Sequence, residues 1–458
     1  MIVNIDKDLC TGCKKCSDVC PVDAIQGEKG KAQFIDEDRC VICGQCVQQC
    51  KSFAPIYELG QDTIEAKKEE RGMLESVQEP LFAAYNTCDI QKVKEALADP
   101  NSFTVVQCAP AVRVALGEEF GCDLGELTYG KMVAALKQLK FDRVYDTNFA
   151  ADLTIMEEGS ELIKRIGENK NLPMFTSCCP AWVKFMEDNY PELTNHLSSC
   201  KSPQQMGGVV FKTYGAQMNN VDPKDVFSVA VMPCTCKKFE CDREEMKSSG
   251  YKDVDVVITT RELAYLIKDM GIDFNSLNNE DFDSPLGDYT GAGTIFGVTG
   301  GVMEAAIRTG YELITNQEIP NVEVTQVRGG EGIRKSVIKV GDLSLKVAAV
   351  SGLKNVVSIL EDIKKGDCDL HFIEVMTCPE GCISGGGQPK LLLDEHRELA
   401  YANRRKSTYN HDRNIEIRKS HESPAIKKIY DEFLKEPLGE KSHHLLHTNY
   451  CTRKEVSK

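Results

Sequence analysis

Eight of the chain's 21 cysteines fall within the first 50 residues: Cys10, Cys13, Cys16 and Cys20, then Cys40, Cys43, Cys46 and Cys50. Each quartet reads C-x2-C-x2-C-x3-C. Steps of this length let three thiolates of one tight loop reach three corners of a 4Fe-4S cubane, while the fourth opens a short helix and reaches a neighbouring cubane. The spacing therefore assigns Cys10, Cys13, Cys16 and Cys50 to one cluster, and Cys40, Cys43, Cys46 and Cys20 to a second. The proline expected after the fourth thiol follows Cys20 (Pro21) but not Cys50, where Lys51 stands. Zinc is a poorer match, because it takes four ligands, usually as two separated pairs.

Composition narrows the setting. A chain of 458 residues suggests about three domains. The net charge of −15 argues against nucleic acid and anionic membrane as partners. No run of 18 apolar residues could span a bilayer, and the start, MIVNIDKDLCTGCKKC, lacks a signal-peptide core. A cytoplasmic protein is expected, in which so many thiols point to metal ligation and not to disulfides.

Elements must hold these groups. Residues 1–60 form the cysteine-loop module, with the spacing of bacterial two-cluster ferredoxins. Residues 61–100 are Glu/Lys-rich and read as a helical linker broken at Gly72 and Pro80. From 101 the pattern becomes α/β: strands are expected at Phe103–Cys108, Arg143–Asp146, Leu172–Ser177, Val226–Met232 and Leu370–Met376, with helices over 127–140 and 152–168. Four apolar runs end in turns holding Cys or Pro: QCAP, SCCP, MPC and MTC. Sites in α/β sheets lie beyond the carboxyl ends of strands, so these turns are expected to converge on one buried cluster. Alternating strands and helices imply parallel or mixed sheets flanked by helices. The polar segment 401–458 is expected to wrap as surface helices.

Three stretches carry a family resemblance: TSCCPAW (Thr176–Trp182), MPCTCKKFE (Met232–Glu240) and FIEVMTCPEGCISGGGQP (Phe372–Pro389). Together with LSSCKSPQQ, TTREL and GAGTIFGVTGGVMEA, they resemble the signatures of iron-iron hydrogenases over residues 101–450. The first module resembles the accessory domain of the clostridial enzymes. The resemblance implies that 101–400 is a catalytic domain holding an H-cluster between two lobes. That cofactor is a 4Fe-4S cubane joined to a two-iron unit with carbon monoxide, cyanide and azadithiolate. By motif the cubane ligands would be Cys179, Cys234, Cys378 and Cys382, with Cys382 bridging to the two-iron unit. The implied reaction is 2H+ + 2e− ⇌ H2. Electrons would pass through the two N-terminal clusters to or from ferredoxin or flavodoxin, and maturation proteins would install the two-iron unit. The resemblance gives the proton route as Cys178, Glu158, Ser198 and Glu161, with Arg165 as outer partner. Lys237 would donate to a cyanide. Met232, Met376, Ala109, Pro110, Pro233 and Gln204 would line the two-iron site, and Glu240 would hold the Lys237 loop.

The chain departs from the usual family pattern at Ala111, Ala181, Cys236, Thr377, Pro379 and Glu380. A carboxylate at Glu380 is expected to make reduction of the nearby cubane harder. Of the cysteines outside these sets, most are expected to be buried small apolar groups, with Cys236 nearest the cluster. SHHLLHTNYC (Ser442–Cys451) has the composition of a metal tail, but a solvated helix is the expectation. GAGTIFG is one residue off the dinucleotide fingerprint, so its glycines are read as tight turns and close packing. An assembly factor or sensor on the same fold would lack the relay residues, and a pure electron carrier would not need the α/β body.

Overall fold

The structure is a computed structural model describing residues 1–54, 58–77, 79–330 and 332–452. Positions 55–57, 78, 331 and 453–458 of the expected domains lie outside the described residues. Beyond residue 101, eight strands are found among the described residues: β1 (Phe103–Cys108), β2 (Arg143–Asp146), β3 (Met174–Phe175), β4 (Val226–Met232), β5 (Val256–Thr259), β6 (Gly332–Val340), β7 (Leu343–Ser351) and β8 (Phe372–Met376). One sheet runs β5-β4-β1-β2 and is parallel throughout. The other runs β6-β7-β8-β3 and is parallel except for the β6–β7 hairpin. Strands β1, β4 and β8 are buried almost end to end, which is why FTVVQC, VFSVAVM and FIEVM are continuous apolar runs and do not alternate.

The helices that matter for the site are α1 (Thr147–Glu168), α2 (Pro180–Asn189), α3 (Pro203–Val210), α4 (Cys236–Cys241), α5 (Gly301–Thr315), α6 (Asp394–Asn414) and α7 (Glu440–Leu446). Helix α1 begins five residues before the expected 152, because Asp146 caps it by accepting from the Asn148 amide. The strand expected over Leu172–Ser177 shrinks to Met174–Phe175. Pro173 has no amide to give a ladder, and the chain leaves the sheet toward Cys178.

The 61–100 segment contains helices Gln61–Glu70 and Ile90–Ala98, but between them lie two short strands. Ala84–Asn86 pairs antiparallel with Val3–Ile5, and Leu81–Phe82 with Phe53–Ala54. This segment thus completes the N-terminal module as well as leaving it. Strands of two or three residues are too short to show a period in sequence. At the other end, Ile426, Ile429, Leu445 and Leu446 bury against Met206, Val209 and Val210 of α3, so the C-terminal segment packs as helices over the body.

The glycine-rich turns are packing devices. A Cβ at Gly293 would sit 2.5 Å from the Asn148 carbonyl oxygen, and one at Gly386 would sit 2.6 Å from the Cys43 carbonyl oxygen. The second contact seats the loop of the N-terminal module directly on the turn after β8.

Candidate metal centre

In the N-terminal module the thiols meet as two interleaved quartets. The charges of Cys10, Cys13 and Cys50 bear on Cys16, whose thiol is pushed up to about 11, first by burial. Burial likewise raises Cys43, and Cys40 and Cys20 add to it. Backbone amides already point at sulfur: Ala24 N–H donates to Cys20 Sγ at 3.2 Å, Ala84 N–H to Cys50 Sγ at 3.3 Å, and Gln33 N–H to Cys10 Sγ at 3.4 Å. Amides aimed at sulfur suit thiolate ligands, whose negative charge they stabilise. Two short helices, Lys15–Asp18 and Gln45–Gln49, present Cys16 and Cys46.

The four turns predicted to converge do so. Cys179 stands at the N-terminus of α2, where Pro180 starts the helix. Cys234 follows β4, and Cys378 and Cys382 follow β8. Burial comes first in raising Cys234, to about 12, and Cys179 comes next. Cys378 is raised by burial and then by Cys234, Cys43, Cys179 and Cys382. Thiols that destabilise one another's charge, with no disulfide among the described residues, fit a cluster that would take them as thiolates. Cys43 acts on Cys378, and Thr235 Oγ1 donates to the Ile42 carbonyl at 2.6 Å, so the Cys40–Cys46 loop is the one that abuts this site.

Beside Cys382 lies a cavity of about 70 Å³, whereas one water needs roughly 10–15 Å³. Ala109, Pro110, Met232, Pro233 and Met376 give it apolar walls, and Cys178, Gln204 and Lys237 bring polar groups. The Gln204 side-chain oxygen, Oε1, is buried without a hydrogen-bond partner. An apolar chamber with an orphaned polar atom, flanked by the turn that carries Cys382, fits a small polar metal unit. Ala111 lines the same cavity, so no hydroxyl reaches it from that position.

Lys237 Nζ donates to the Cys178 carbonyl at 3.0 Å and to Glu240 Oε2 at 2.8 Å. Burial pushes this ammonium's pKa down, but Glu240 together with the charges of Cys234 and Cys178 turns the net shift up. Glu240 is not a surface partner. It is buried and also accepts from Ser202 Oγ at 2.9 Å and Gln204 Nε2 at 3.2 Å. One carboxylate thereby fixes both the lysine and the glutamine at the cavity wall.

On the opposite side, α1 carries Glu158 and Glu161 one turn apart. Burial, then the neighbouring Glu161 charge, lifts Glu158 to about 8. Its Oε2 is buried and unpartnered. Ser198 Oγ donates to Glu161 Oε2 at 2.7 Å, and Arg165 Nη2 donates to Glu161 Oε1 at 2.6 Å. Cys178 is raised well above the ordinary thiol range by burial and then by Glu158, so it holds its proton at neutral pH. All the named relay residues therefore lie between the cavity and Arg165.

Two features correct or extend the sequence reading. Glu380 is paired with Arg405, so its charge does not act alone on the cubane thiols. Cys236 is fully buried, and the charges of Cys234, Cys179 and Cys43 all bear on it. Sequence reasoning gave no role to Thr377, whose Oγ1 lies 3.3 Å from Cys179 Sγ, or to Ser199, which donates to Glu161. Thr377 stood out only as a departure beside Cys378, and Ser199 only as part of the quoted stretch LSSCKSPQQ beside Ser198.

Comparison with known proteins gives a consistent result. Residues 102–386 match the family "Iron only hydrogenase large subunit, C-terminal domain", residues 398–453 match "Iron hydrogenase small subunit", and residues 2–51 match "4Fe-4S dicluster domain". The chain is 45% identical over 442 residues to a subunit of the NADP-reducing hydrogenase of Solidesulfovibrio fructosivorans, covering 92% of this chain and 75% of the relative. It is 41% identical over 438 residues to iron hydrogenase 1 of Clostridium pasteurianum, covering 92% and 76%. Among solved structures, the apo FeFe-hydrogenase of Chlamydomonas reinhardtii superposes with a TM-score of 0.70 at 40% identity, covering 79% of this chain and 98% of that one.

Proposed function

The chain belongs to the iron hydrogenase family, with a 4Fe-4S dicluster domain and an H-cluster domain, and from that premise we propose how its residues serve the reaction 2H+ + 2e− ⇌ H2. Cys179, Cys234, Cys378 and Cys382 would hold the H-cluster between the two sheets, with Cys382 facing the two-iron unit. When bound, that group supplies the open iron site at which hydrogen is made or split.

The chain's own work is to deliver protons and exclude water. Pro110, Pro233, Met232, Met376 and Ala109 keep the cavity dry, which strengthens every charge interaction inside it. Lys237, fixed by Glu240, offers an ammonium to negative ligands, and Gln204 adds its side-chain amide. Cys178 gives or takes a proton at Sγ. Glu158, which carries its proton near pH 7, hands it to the Cys178 sulfur when that thiol has given up its own, and is reloaded through the Ser198 hydroxyl from Glu161, which Arg165 anchors. The observation that carries this reading is the junction of four thiols, Cys378 buried and Cys179, Cys234 and Cys382 half-buried, with a largely apolar chamber whose wall bears Cys178, with Glu158 behind it.

Ferredoxin or flavodoxin is the proposed electron partner, because the first module is itself ferredoxin-like. Cys13 is exposed in it, whereas the Cys40–Cys46 loop faces inward. A second reading comes from the relative named as a subunit of an NADP-reducing hydrogenase: electrons would reach a nicotinamide through other subunits. Maturation proteins would supply the two-iron unit, and the absence of a bilayer-spanning helix among the described residues is compatible with the proposed cytoplasmic setting. Matured protein should show infrared bands of metal-bound CO and CN and release H2 from reduced ferredoxin. Release from NADPH alone, or no bands after maturation, would overturn the respective part.

A further inference from the structure

The relay above ends on Arg165, and a guanidinium does not give up a proton near neutral pH. Arg165 can hold Glu161 but cannot reload it. A different group touches the same carboxylate. Ser199 Oγ lies 3.2 Å from Glu161 Oε1 and 2.8 Å from His447 Nδ1, and His447 Nε2 lies 3.1 Å from Glu157 Oε2. His447 and Glu157 are buried. The ring is pinned by backbone on both sides: Thr448 N–H donates to the Ser199 carbonyl at 2.7 Å, and Lys201 N–H to the Leu446 carbonyl at 2.8 Å. Glu157 is held by Tyr430 Oη at 2.5 Å and the Leu438 amide at 2.8 Å.

We propose that His447, oriented by Glu157, is a positioning and proton-carrying residue that loads and unloads Glu161 through the Ser199 hydroxyl, a branch that rests on the relay reading given above. The hydrogen-bond directions allow two arrangements. In one, His447 is doubly protonated: Nδ1–H donates to Ser199 Oγ, Nε2–H donates to Glu157, and Ser199 O–H donates to ionised Glu161. In the other, the Ser199 proton has moved to Glu161 Oε1 and the Nδ1 proton has moved to Ser199 Oγ. His447 is then neutral, and still donates Nε2–H to Glu157. One O–H and one N–H bond break, two O–H bonds form, and no electron moves. Reset needs the hydroxyl to turn and the ring to regain a proton, and the exposed ring of His443 stacks on His447 with centroids 4.7 Å apart.

The charged and titratable groups around the imidazole are Glu157 and Glu161 from α1, Cys200 from the facing loop, and His443 from its own helix. Tyr430 acts through Glu157, and Arg165 through Glu161. Cys200 Sγ is 3.9 Å from Nδ1 and 4.0 Å from Glu161, which is long for a transfer step. Glu161, Cys200 and His447 together have the look of a metal triad, but the carboxylate and the ring nitrogens already have hydrogen-bond partners. A hydrogen-bonded branch accounts for that arrangement without an ion.

The test uses the matured holoenzyme and three variants. His447→Gln keeps the hydrogen-bonding shape without titrating, Ser199→Ala removes only the bridging oxygen, and Cys178→Ala interrupts the inner relay. Iron content and the CO and CN bands should stay as in the parent for the first two. Their turnover should fall about tenfold or more, and a limb present in the parent's rate–pH profile should vanish. The double variant should be no slower than either single one. A uniform loss at every pH would mark a structural role and overturn the branch. Profiles overlaying the parent's, with Cys178→Ala inactive, would also overturn it while leaving the main relay standing. Normal turnover of Cys178→Ala would sink the relay itself. If His447→Gln loses its bands through misfolding, Ser199→Ala decides by the same criteria.

Discussion

Replacing Glu158 by Gln should make the protein sturdier at neutral and alkaline pH while nearly abolishing turnover. Burial, and then Glu161, lift this carboxyl from 4.5 to about 8. An unfolded chain loses the proton near 4.5, whereas the folded chain keeps it until about 8. Over that interval the folded state binds the extra proton, so stability declines as pH rises. Each pH unit is worth about 1.4 kcal/mol, so the fold gives up about 5 kcal/mol between the two values and nothing further above them. Gln cannot ionise. Its amide oxygen can still accept from Ser198, and its NH2 would fill the place of the unpartnered Oε2. Denaturant midpoints of parent and Glu158→Gln, measured from pH 5 to 9 with the clusters intact, should diverge with rising pH by up to about 4 kcal/mol. H2 turnover of the variant should drop by about 10²–10⁴. Parallel stability curves would mean that Glu158 is already ionised at neutral pH, and undiminished turnover would remove it from the proton route. Either result refutes the reasoning.

Three further perturbations probe the same site. Cys178→Ala should keep the infrared bands of the two-iron unit and lose most turnover, whereas Cys382→Ala should lose the bands, as read by infrared spectroscopy and gas output. Lys237→Met leaves the Glu240 carboxylate buried without its cation, at a cost of about 3–5 kcal/mol; adding Glu240→Gln should restore most of the lost thermal stability without restoring turnover. Arg405→Met strips Glu380 of its partner and should make the H-cluster cubane harder to reduce by about 1 kcal/mol, on the order of 40 mV, with the potential returning in a spectroelectrochemical titration when Glu380→Gly is added.

Much of the site was legible because it is local. The spacing C-x2-C-x2-C-x3-C fixes which thiols share a loop, and the apolar runs FTVVQC, VFSVAVM and FIEVM announce buried strands whose ends carry Pro or Cys. Glu158, Glu161 and Arg165 share a face because a helix repeats every 3.6 residues. The boundaries were less legible. The Asp146 cap sits before the stretch whose periodicity was visible, and the two short strands at 81–86 owe their existence to partners about 30 and 80 residues away.

Chemical types, their order and their spacing were in the chain itself and suggested two cubane quartets, while the third thiol set, scattered over some 200 residues, came from the resemblance of its motifs to a known family. Charge states and partners were not, because they depend on distances in three dimensions and on exclusion of water. Only folding puts Glu158 where burial keeps it neutral, sets Arg405 against Glu380, makes Glu240 the anchor for Lys237, and brings His447 from the far end of the chain to Ser199. A Coulomb or hydrogen-bond interaction acts over a few ångströms of space, whatever the separation along the backbone.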